Sequence, residues 1–312
     1  MTARQHHYLS QCYLKGFTKG QSKKSKLSVI DFKEKKSFES IPRNVGGVRD
    51  FNRIDLDGFD QNQLELELSK FESDAATALK QLKDSLVFSG QGKEVILNLI
   101  AFIAVRSPER REHMRQTQAQ IAECVMGMLH NSEQLWEDQV ARMRDDNPDF
   151  SSRVTYQESK EFFERKQYSI EVKREFHIAM EMAQVEAIIP CLINRKWLLL
   201  VSDDDTGPFI TTDWPVNLSW KELDQIPEFY RKSPGFGLMG TEVYFPVSQH
   251  LALIGDFEGR DAVVDVSREM VALLNTKMLY NYYKQVYSPG LGFRFVGKNN
   301  DLLSGKKLLD GF

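Results

Sequence analysis

The sequence has few cysteines and no long apolar run. Its three cysteines, Cys12, Cys124 and Cys191, are far apart and form no CxxC pair, so neither a disulfide framework nor a zinc ribbon is expected. The most apolar stretch, residues 95–105, has about half the length that a membrane-spanning helix needs. The first twenty residues contain no apolar run that would predict a secretory signal. We therefore expect a cytoplasmic protein that does not interact with a membrane.

The signatures of several enzyme classes are also missing. The sequence contains no Walker A loop, no GxGxxG after a predicted strand, no HExxH, no GxSxG and no PD…(D/E)xK core. P-loop nucleotide hydrolases, dinucleotide-binding dehydrogenases, zincin proteases and α/β-hydrolases are therefore not expected. The sequence alone identifies no cofactor and no metal site.

Charge is distributed unevenly along the chain. Residues 1–53 contain twelve Lys and Arg against four acidic residues, and the whole chain has a net charge of −3. The remainder is therefore strongly acidic. A basic first segment on an acidic body favours a phosphate-bearing ligand or nucleic acid as partner. Alternatively, the lysines of residues 19–26 form a solvated turn, and the acidic body and C-terminal tail suit a protein partner.

The hydrophobic pattern divides the chain into three regions. Residues 1–60 have the pattern of strands and loops, with a hairpin predicted between residues 27–32 and 36–40. Residues 61–193 form an all-helical block in this interpretation, because apolar side chains recur at spacings of three and four. Residues 194–312 return to a period of two, which is typical of strands, and contain one further helix. We predict one integrated domain from these regions.

The pattern also predicts individual helices and a fold class. The predicted helices span residues 61–82, 94–107, 108–144, 155–168, 170–193 and 267–288. Thr155 followed by Glu158 predicts a capping box. Because strand-rich segments lie at both ends, the predicted class is α+β. We expect an antiparallel or mixed sheet built from the N- and C-terminal segments, with a large inserted all-helical block.

Two adjacent histidines, His6 and His7, are the first candidates for chemistry. In a strand their side chains point to opposite faces, so they are not expected to bind one metal ion together. Histidine titrates near neutral pH, which makes one of them a candidate general acid or base. The alternative is that both make buried hydrogen bonds that anchor the N-terminal segment.

A second polar group follows a predicted strand in the last third of the chain. Asp213 comes directly after Thr211 and Thr212, at a strand end where side chains commonly project into a cleft. Its carboxylate is therefore a candidate for orienting a histidine or holding a metal ion. A turn-capping role suits the same carboxylate equally well.

Charged side chains on the predicted helices form a third group. Glu65 and Glu72 are seven residues apart and share one helix face. Arg106 and Arg110 follow from the next helices, and the arginine fork suits phosphate. The alternative interpretation is an ion-pair network between these glutamates and arginines.

Five stretches of the sequence together resemble the DUF4238 family. They are HHYLSQCYLKGF, LELELSKFESDAATAL, FITTDWPV, YFPVSQHLALIG and ALLNTKMLYNYYKQVYS. The resemblance covers nearly the whole chain. Ser10 stands where the family pattern has proline, and Thr212 where it has serine; neither change removes a polar group. Since the family is named for having no assigned function, the resemblance implies which positions matter and no reaction.

We therefore predict one polar site where the N-terminal segment meets the strands around residues 209–216 and 244–255. Its candidate residues are His6, His7 and Asp213 as catalytic groups, and Gln11, Tyr13, Arg49, Arg106, Thr211 and Thr212 as substrate-binding groups. The predicted function is that of a hydrolase or nuclease acting on a phosphate-bearing substrate. The alternative is a non-catalytic module that binds a small molecule or a protein. Cofactor, metal requirement and oligomeric state are left open.

Overall fold

The fold combines long helices with several short-stranded sheets. The computed structural model describes residues 5–55, 58, 60–150, 153–232 and 234–311. The helices are α1 (Gln11–Leu14), α2 (Gln63–Ser85), α3 (Gly90–Val105), α4 (Pro108–Leu129), α5 (Glu133–Asp146), α6 (Tyr156–Glu164), α7 (Arg174–Ile193) and α8 (Arg268–Leu279). The strands are β1 (Gln5–His7), β2 (Leu27–Asp31), β3 (Lys36–Ser40), β4 (Gly47–Arg49), β5 (Lys196–Val201), β6 (Thr211–Thr212), β7 (Asn217–Trp220), β8 (Thr241–Ser248), β9 (Leu251–Asp256), β10 (Ala262–Asp265), β11 (Gln285–Ser288), β12 (Arg294–Val296) and β13 (Leu302–Ser304).

The sheets confirm the predicted α+β class. A four-stranded antiparallel sheet in the order β3-β2-β11-β6 joins strands from both ends of the chain, as predicted. The β2–β3 hairpin is confirmed as well. A five-stranded sheet in the order β10-β5-β9-β8-β7 comes entirely from the C-terminal part and is antiparallel except for the β10–β5 pair. The helices α2 to α7 lie between β4 and β5 in the chain.

The last predicted helix is shorter in the structure, because α8 ends at Leu279. Residues 285–288 form β11, between β2 and β6. The Thr212 hydroxyl donates a hydrogen bond to the Asn281 carbonyl at 2.7 Å, and the Asn281 amide donates to the Trp214 carbonyl. These contacts with the segment after β6 hold the chain out of the helix, and local periodicity does not reveal them.

The chain forms two compact units. The first comprises residues 1–108 and 178–312, and the second residues 109–177. The predicted division into 1–60, 61–193 and 194–312 concerns domain organisation and stays a prediction. The first unit contains every strand of the described residues, together with α1, α2, α3, α8 and most of α7.

The second unit is helical and is centred on one imidazole. His130 stacks on the rings of Trp136 and Phe163, with centroid distances of 5.3 and 5.0 Å. Its Nε2 lies 2.9 Å from the Ser159 hydroxyl. The helix predicted over residues 108–144 is interrupted here, since α4 ends at Leu129 and α5 begins at Glu133. The capping box predicted at the start of α6 is confirmed.

The core of the first unit is built by α2 and α3 against the N-terminal segment and the five-stranded sheet. Buried side chains of α2 are Ala75, Ala78, Leu79 and Leu82, at the spacing of one helix face. Helix α3 is apolar almost all round and is accordingly deeply buried. Helix α7 is long and apolar enough to cross a bilayer by length and composition, with 28% of its apolar window buried. Core helices of soluble proteins meet the same criterion.

Candidate functional site

The two histidines of the N-terminal segment lie in a short antiparallel ribbon. Strand β1 pairs with β4, so that Gln5 is opposite Arg49 and His7 is opposite Gly47. Gly46 precedes β4 with a φ of +64°, and a Cβ there would lie 2.9 Å from the Leu9 Cβ. Only glycine tolerates both conditions, which allows the loop before β4 to close against the N-terminal segment.

Strand alternation separates the histidines, as predicted. His6 is 1% exposed and points inward, whereas His7 and Gln5 line a cavity on the other face of the ribbon. The cavity has a volume of about 420 Å³. Its lining is formed by Gln5, His7, Gln11, Lys23, Arg43, Asn52, Glu65, Leu68, Ser69 and Glu72. Most of these side chains are polar and five are ionisable, which is the composition of a site for a polar ligand.

Helix α2 forms one wall of the cavity. Glu65, Leu68, Ser69 and Glu72 follow one another at spacings of three, one and three, so they share a helix face. The same helix buries its apolar residues further along. Glu65 and Glu72 were predicted to share one helix face. In the structure this brings both side chains to the cavity.

His7 is held so that one ring nitrogen is available. Its Nε2 lies 3.2 Å from the carbonyl oxygen of Arg43, which accepts only, so Nε2 carries the proton and Nδ1 is left with its lone pair. Burial is the main cause that lowers the pKa of His7 below its usual value. The imidazole is therefore neutral at neutral pH and suited to accept a proton.

The pKa of Glu72 is shifted in the opposite direction. Burial raises its pKa to about 7, and the negative charge of Glu65 adds to the effect. Lys23 and Arg106 act against this shift. A carboxyl group with such a pKa holds its proton for about half of the time at neutral pH, so it is suited to donate one.

The raised pKa of Glu72 predicts a pH-dependent stability. The native state keeps a proton that the unfolded state releases near pH 4.5, so the free energy of unfolding should fall as the pH rises from 4.5 through 7. Glu72→Gln removes this contribution. Relative to the wild type, its free energy of unfolding should rise by about 2–3 kcal/mol between pH 5 and pH 8, measured by urea denaturation. Glu67→Gln, an exposed control on the same helix, should follow the wild type. Parallel profiles of Glu72→Gln and the wild type would contradict the shift.

His6 belongs to a buried network behind the cavity wall. The backbone N–H of Asn52 donates to His6 Nδ1 at 2.8 Å, so the proton of the neutral ring is on Nε2. That Nε2 has no hydrogen-bond partner among the described residues. The side-chain amide of Asn52 donates to Glu65 at 2.6 Å. His6 thus anchors β1 by accepting a hydrogen bond at Nδ1, and its Nε2–H is a donor.

Arg106 joins this network from the end of α3. It is 5% exposed and donates to the side-chain oxygen of Asn52. Its Nε lies 3.7 Å from the carboxylate of Glu181 on α7, which is 1% exposed. Arg106 thus forms an ion pair with Glu181, which was not one of the glutamates of the predicted network, and the phosphate-binding role of Arg106 stays a prediction.

Other predicted substrate-binding residues lie in the core. The Tyr13 hydroxyl is 2.6 Å from the Thr211 hydroxyl and donates to the Pro246 carbonyl at 2.9 Å. Both Tyr13 and Thr211 are fully buried, and they connect α1 with β6 and β8. Arg49 is exposed and lies 3.5 Å from Asp50. Since Arg49 is opposite Gln5 in the ribbon, it lies on the same ribbon face as the cavity.

Asp213 is engaged by the backbone after α8. Its carboxylate accepts N–H groups of Tyr283, Lys284 and Gln285 at 2.8 to 2.9 Å, and it is 3% exposed. Thr212, also fully buried, accepts the N–H of Trp214 at 3.0 Å. This geometry is that of a cap on the entry to β11, which was the alternative interpretation of Asp213. Its catalytic role stays a prediction.

The cavity contains residues that the sequence interpretation did not assign to a site. Lys23 and Arg43 come from segments that were interpreted as a solvated turn and a loop, and Asn52 carried no signal. Glu72 had been placed near Arg106 in a possible ion-pair network. Among the described residues, no three His, Cys, Asp or Glu side chains are grouped as the ligands of a metal ion would be.

Comparison with known proteins identifies a family and little else. A family model described as "Protein of unknown function (DUF4238)" matches residues 5–289. Its span covers both histidines, the whole lining of the cavity and Asp213. Neither a curated protein nor a solved structure matches the chain significantly.

Proposed function

Since this chain belongs to the DUF4238 family, whose description names no reaction, we propose a function from the site that its own residues build. We propose that the protein is a hydrolase that acts on a phosphate-bearing substrate by general acid–base catalysis. The reaction takes place in the cavity between β1 and α2. His7 is the general base and Glu72 the general acid.

The observation that carries the proposal is that one cavity contains two groups whose pKa values are shifted in opposite directions. The pKa of His7 is lowered, whereas that of Glu72 is raised to about 7. At neutral pH one group is ready to accept a proton and the other to donate one. Two titratable groups whose pKa values are shifted in opposite directions by their surroundings are typical of an acid and base pair.

Positive charge around the cavity supports phosphate as the recognised group. Lys23 and Arg43 both line it beside Glu65 and Glu72, and neither forms an ion pair with a described residue. Arg49 lies on the same ribbon face, where it is paired with Asp50. Guanidinium and ammonium groups bind phosphate oxygens strongly through charge-assisted hydrogen bonds.

The proposed step is a hydrolysis of a phosphoester. His7 Nδ1 takes a proton from a water molecule, whose oxygen forms a new bond to phosphorus. The bond between phosphorus and the leaving oxygen breaks, and Glu72 gives its proton to that oxygen. Lys23 and Arg43 neutralise the charge that develops on the phosphoryl oxygens. The histidine and carboxyl group then exchange a proton through solvent and return to their starting states.

Glu72→Gln tests the acid role directly. We expect the variant to lose turnover by about 10²- to 10⁴-fold, because glutamine has no proton to donate at the leaving oxygen. Hydrolysis of p-nitrophenyl phosphate, bis-p-nitrophenyl phosphate and a short RNA is followed for the wild type and the variant. Glu67→Gln is the matched control, since Glu67 lies on α2 outside the cavity lining and pairs with Lys70.

Two results would count against the proposal. One is equal turnover by the wild type and Glu72→Gln on every hydrolysed substrate. The other is saturable binding of inorganic phosphate or RNA with no turnover by the wild type, which favours the alternative of a non-catalytic ligand-binding module. Melting temperatures of all variants show whether a loss of activity is a loss of fold.

A further inference from the structure

A second cavity lies beside the first and has a different character. It has a volume of about 260 Å³ and is lined by three lysine side chains, Lys15, Lys80 and Lys83. Leu79, Val247 and Leu251 contribute an apolar floor. It thus combines a cluster of positive charge with a nonpolar surface.

The lysines of this cavity lack anionic partners. None of the three forms an ion pair with a described residue, although Lys83 donates to the side chain of Gln21. Asp84 is the one acidic residue in the described lining. By contrast, Lys19 and Lys26 in the neighbouring loop both bind Glu39. Three lysines beside one acidic residue leave an excess of positive charge, and a bound anion reduces the repulsion between the lysines.

The two cavities lie along the same face of α2. Glu65 and Glu72 line the first, and Leu79, Lys80 and Lys83 line the second. At 100° per residue these positions stay within one stripe of the helix. Lys80 and Lys83 follow Glu72 by eight and eleven residues, which is about 12–16 Å along the helix axis. The N-terminal segment also borders both, through Gln11 in the first cavity and Lys15 in the second.

We propose that the second cavity is an anion subsite for a further phosphate of the same substrate, which makes that substrate a single-stranded oligonucleotide. This inference rests on the proposed function of the first cavity. Successive phosphates of a stacked strand are offset by about 3.4 Å along the helix axis, so a separation of about 12–16 Å corresponds to about four nucleotides of a stacked strand. Mononucleotides reach one cavity only.

The apolar floor favours an oligonucleotide over inorganic polyphosphate. Leu79, Val247 and Leu251 provide contact surface for a sugar or a base, and the lysines reach the phosphates beside it. Polyphosphate has no nonpolar part that such a floor would bind. Single-stranded nucleic acids are generally held by basic grooves that also provide nonpolar or aromatic contacts.

The test compares ligands of two lengths on matched lysine variants. Binding of a fluorescein-labelled uridine octanucleotide and of UMP is measured by fluorescence anisotropy and by competition, at several salt concentrations. The variant is Lys15→Gln/Lys80→Gln/Lys83→Gln. The control is Lys232→Gln/Lys298→Gln/Lys306→Gln, which removes the same charge at exposed positions outside both cavities. Melting temperatures confirm that both variants are folded.

We expect the cavity variant to bind the octanucleotide at least about tenfold more weakly and the control to bind as the wild type does. The slope of log affinity against log salt should fall by about 2 for the cavity variant, at about 0.7 for each lost phosphate contact with a single strand. UMP binding should not change. Equal affinity for UMP and the octanucleotide, equal losses in both variants, or equal competition by polyphosphate would overturn the inference.

The binding experiment tests the subsite independently of the proposed hydrolysis. Binding that depends on length and on the three lysines, with no hydrolysis, would support the subsite and remove the proposed reaction. Hydrolysis that depends on Glu72 but not on ligand length would support the reaction and remove the subsite.

Discussion

Asp213→Ala is expected to lower the free energy of unfolding by about 3–5 kcal/mol, whatever it does to activity. The carboxylate of Asp213 accepts three consecutive backbone N–H groups, from Tyr283, Lys284 and Gln285. Alanine leaves these donors without their acceptor in a site that is 3% exposed. Buried donors that lose their partner cost about 1–3 kcal/mol each, and part of this is recovered when water enters.

The position of these hydrogen bonds in the fold explains why their loss should destabilise neighbouring strands as well. Residues 283–285 lead into β11, the strand that pairs with both β2 and β6. An unpaired turn there weakens the strand that joins the two ends of the chain. We therefore expect the urea midpoint to fall and the β2–β3 hairpin to lose protection from hydrogen exchange.

Two further variants distinguish a capping role of Asp213 from a catalytic role. Asp74→Ala, at an exposed position of α2, should change the free energy of unfolding by no more than about 0.5 kcal/mol. Asp213→Asn keeps one acceptor oxygen and should be less destabilising than Asp213→Ala. If Asp213→Ala keeps full stability and loses turnover of a phosphoester, the carboxylate acts in the reaction and the capping interpretation is wrong.

Arg106→Met is the second change with a large expected effect, a loss of about 3–5 kcal/mol of unfolding free energy. The guanidinium lies 3.7 Å from Glu181, and both side chains are almost completely buried. Methionine fills a similar volume but removes the guanidinium that lies beside the buried Glu181 carboxylate. Removing one partner of a buried pair is far more costly than removing both.

A double variant therefore provides the test. Arg106→Met/Glu181→Leu should recover most of the lost stability, because the buried carboxylate is removed together with the guanidinium beside it. Urea denaturation of the two single variants and the double variant gives the coupling between the residues. Additive losses would show that Arg106 acts mainly through other contacts, such as its bond to Asn52.

Much of the fold follows from local sequence patterns. The β2–β3 hairpin has an alternating strand next to a turn of lysines, and the capping box of Thr155 and Glu158 depends on two residues three apart. The apolar periodicity of α2 and α3 likewise depends on neighbours within one or two turns. The end of α8 was predicted wrongly, since Asn281 leaves the helix for contacts with residues about seventy positions earlier.

The candidate site follows from the sequence only in part. Strand alternation correctly separates His6 from His7, and helical spacing correctly places Glu65 and Glu72 on one face. Lys23, Arg43 and Asn52 have no local pattern that marks them, because loops carry them to the cavity. The proposed partnership of His7 and Glu72 also depends on burial, which shifts their pKa values in opposite directions and is a property of the assembled fold.

By itself, then, the sequence determined the α+β class, the basic charge of the first segment and the faces on which paired side chains lie. These depend on backbone geometry and on residues close in the chain. Only the tertiary structure decided that Asp213 binds the backbone before β11, and that His7 shares a cavity with Glu72. Both outcomes are contacts between distant segments, whose free energy depends on how the whole core packs and excludes water.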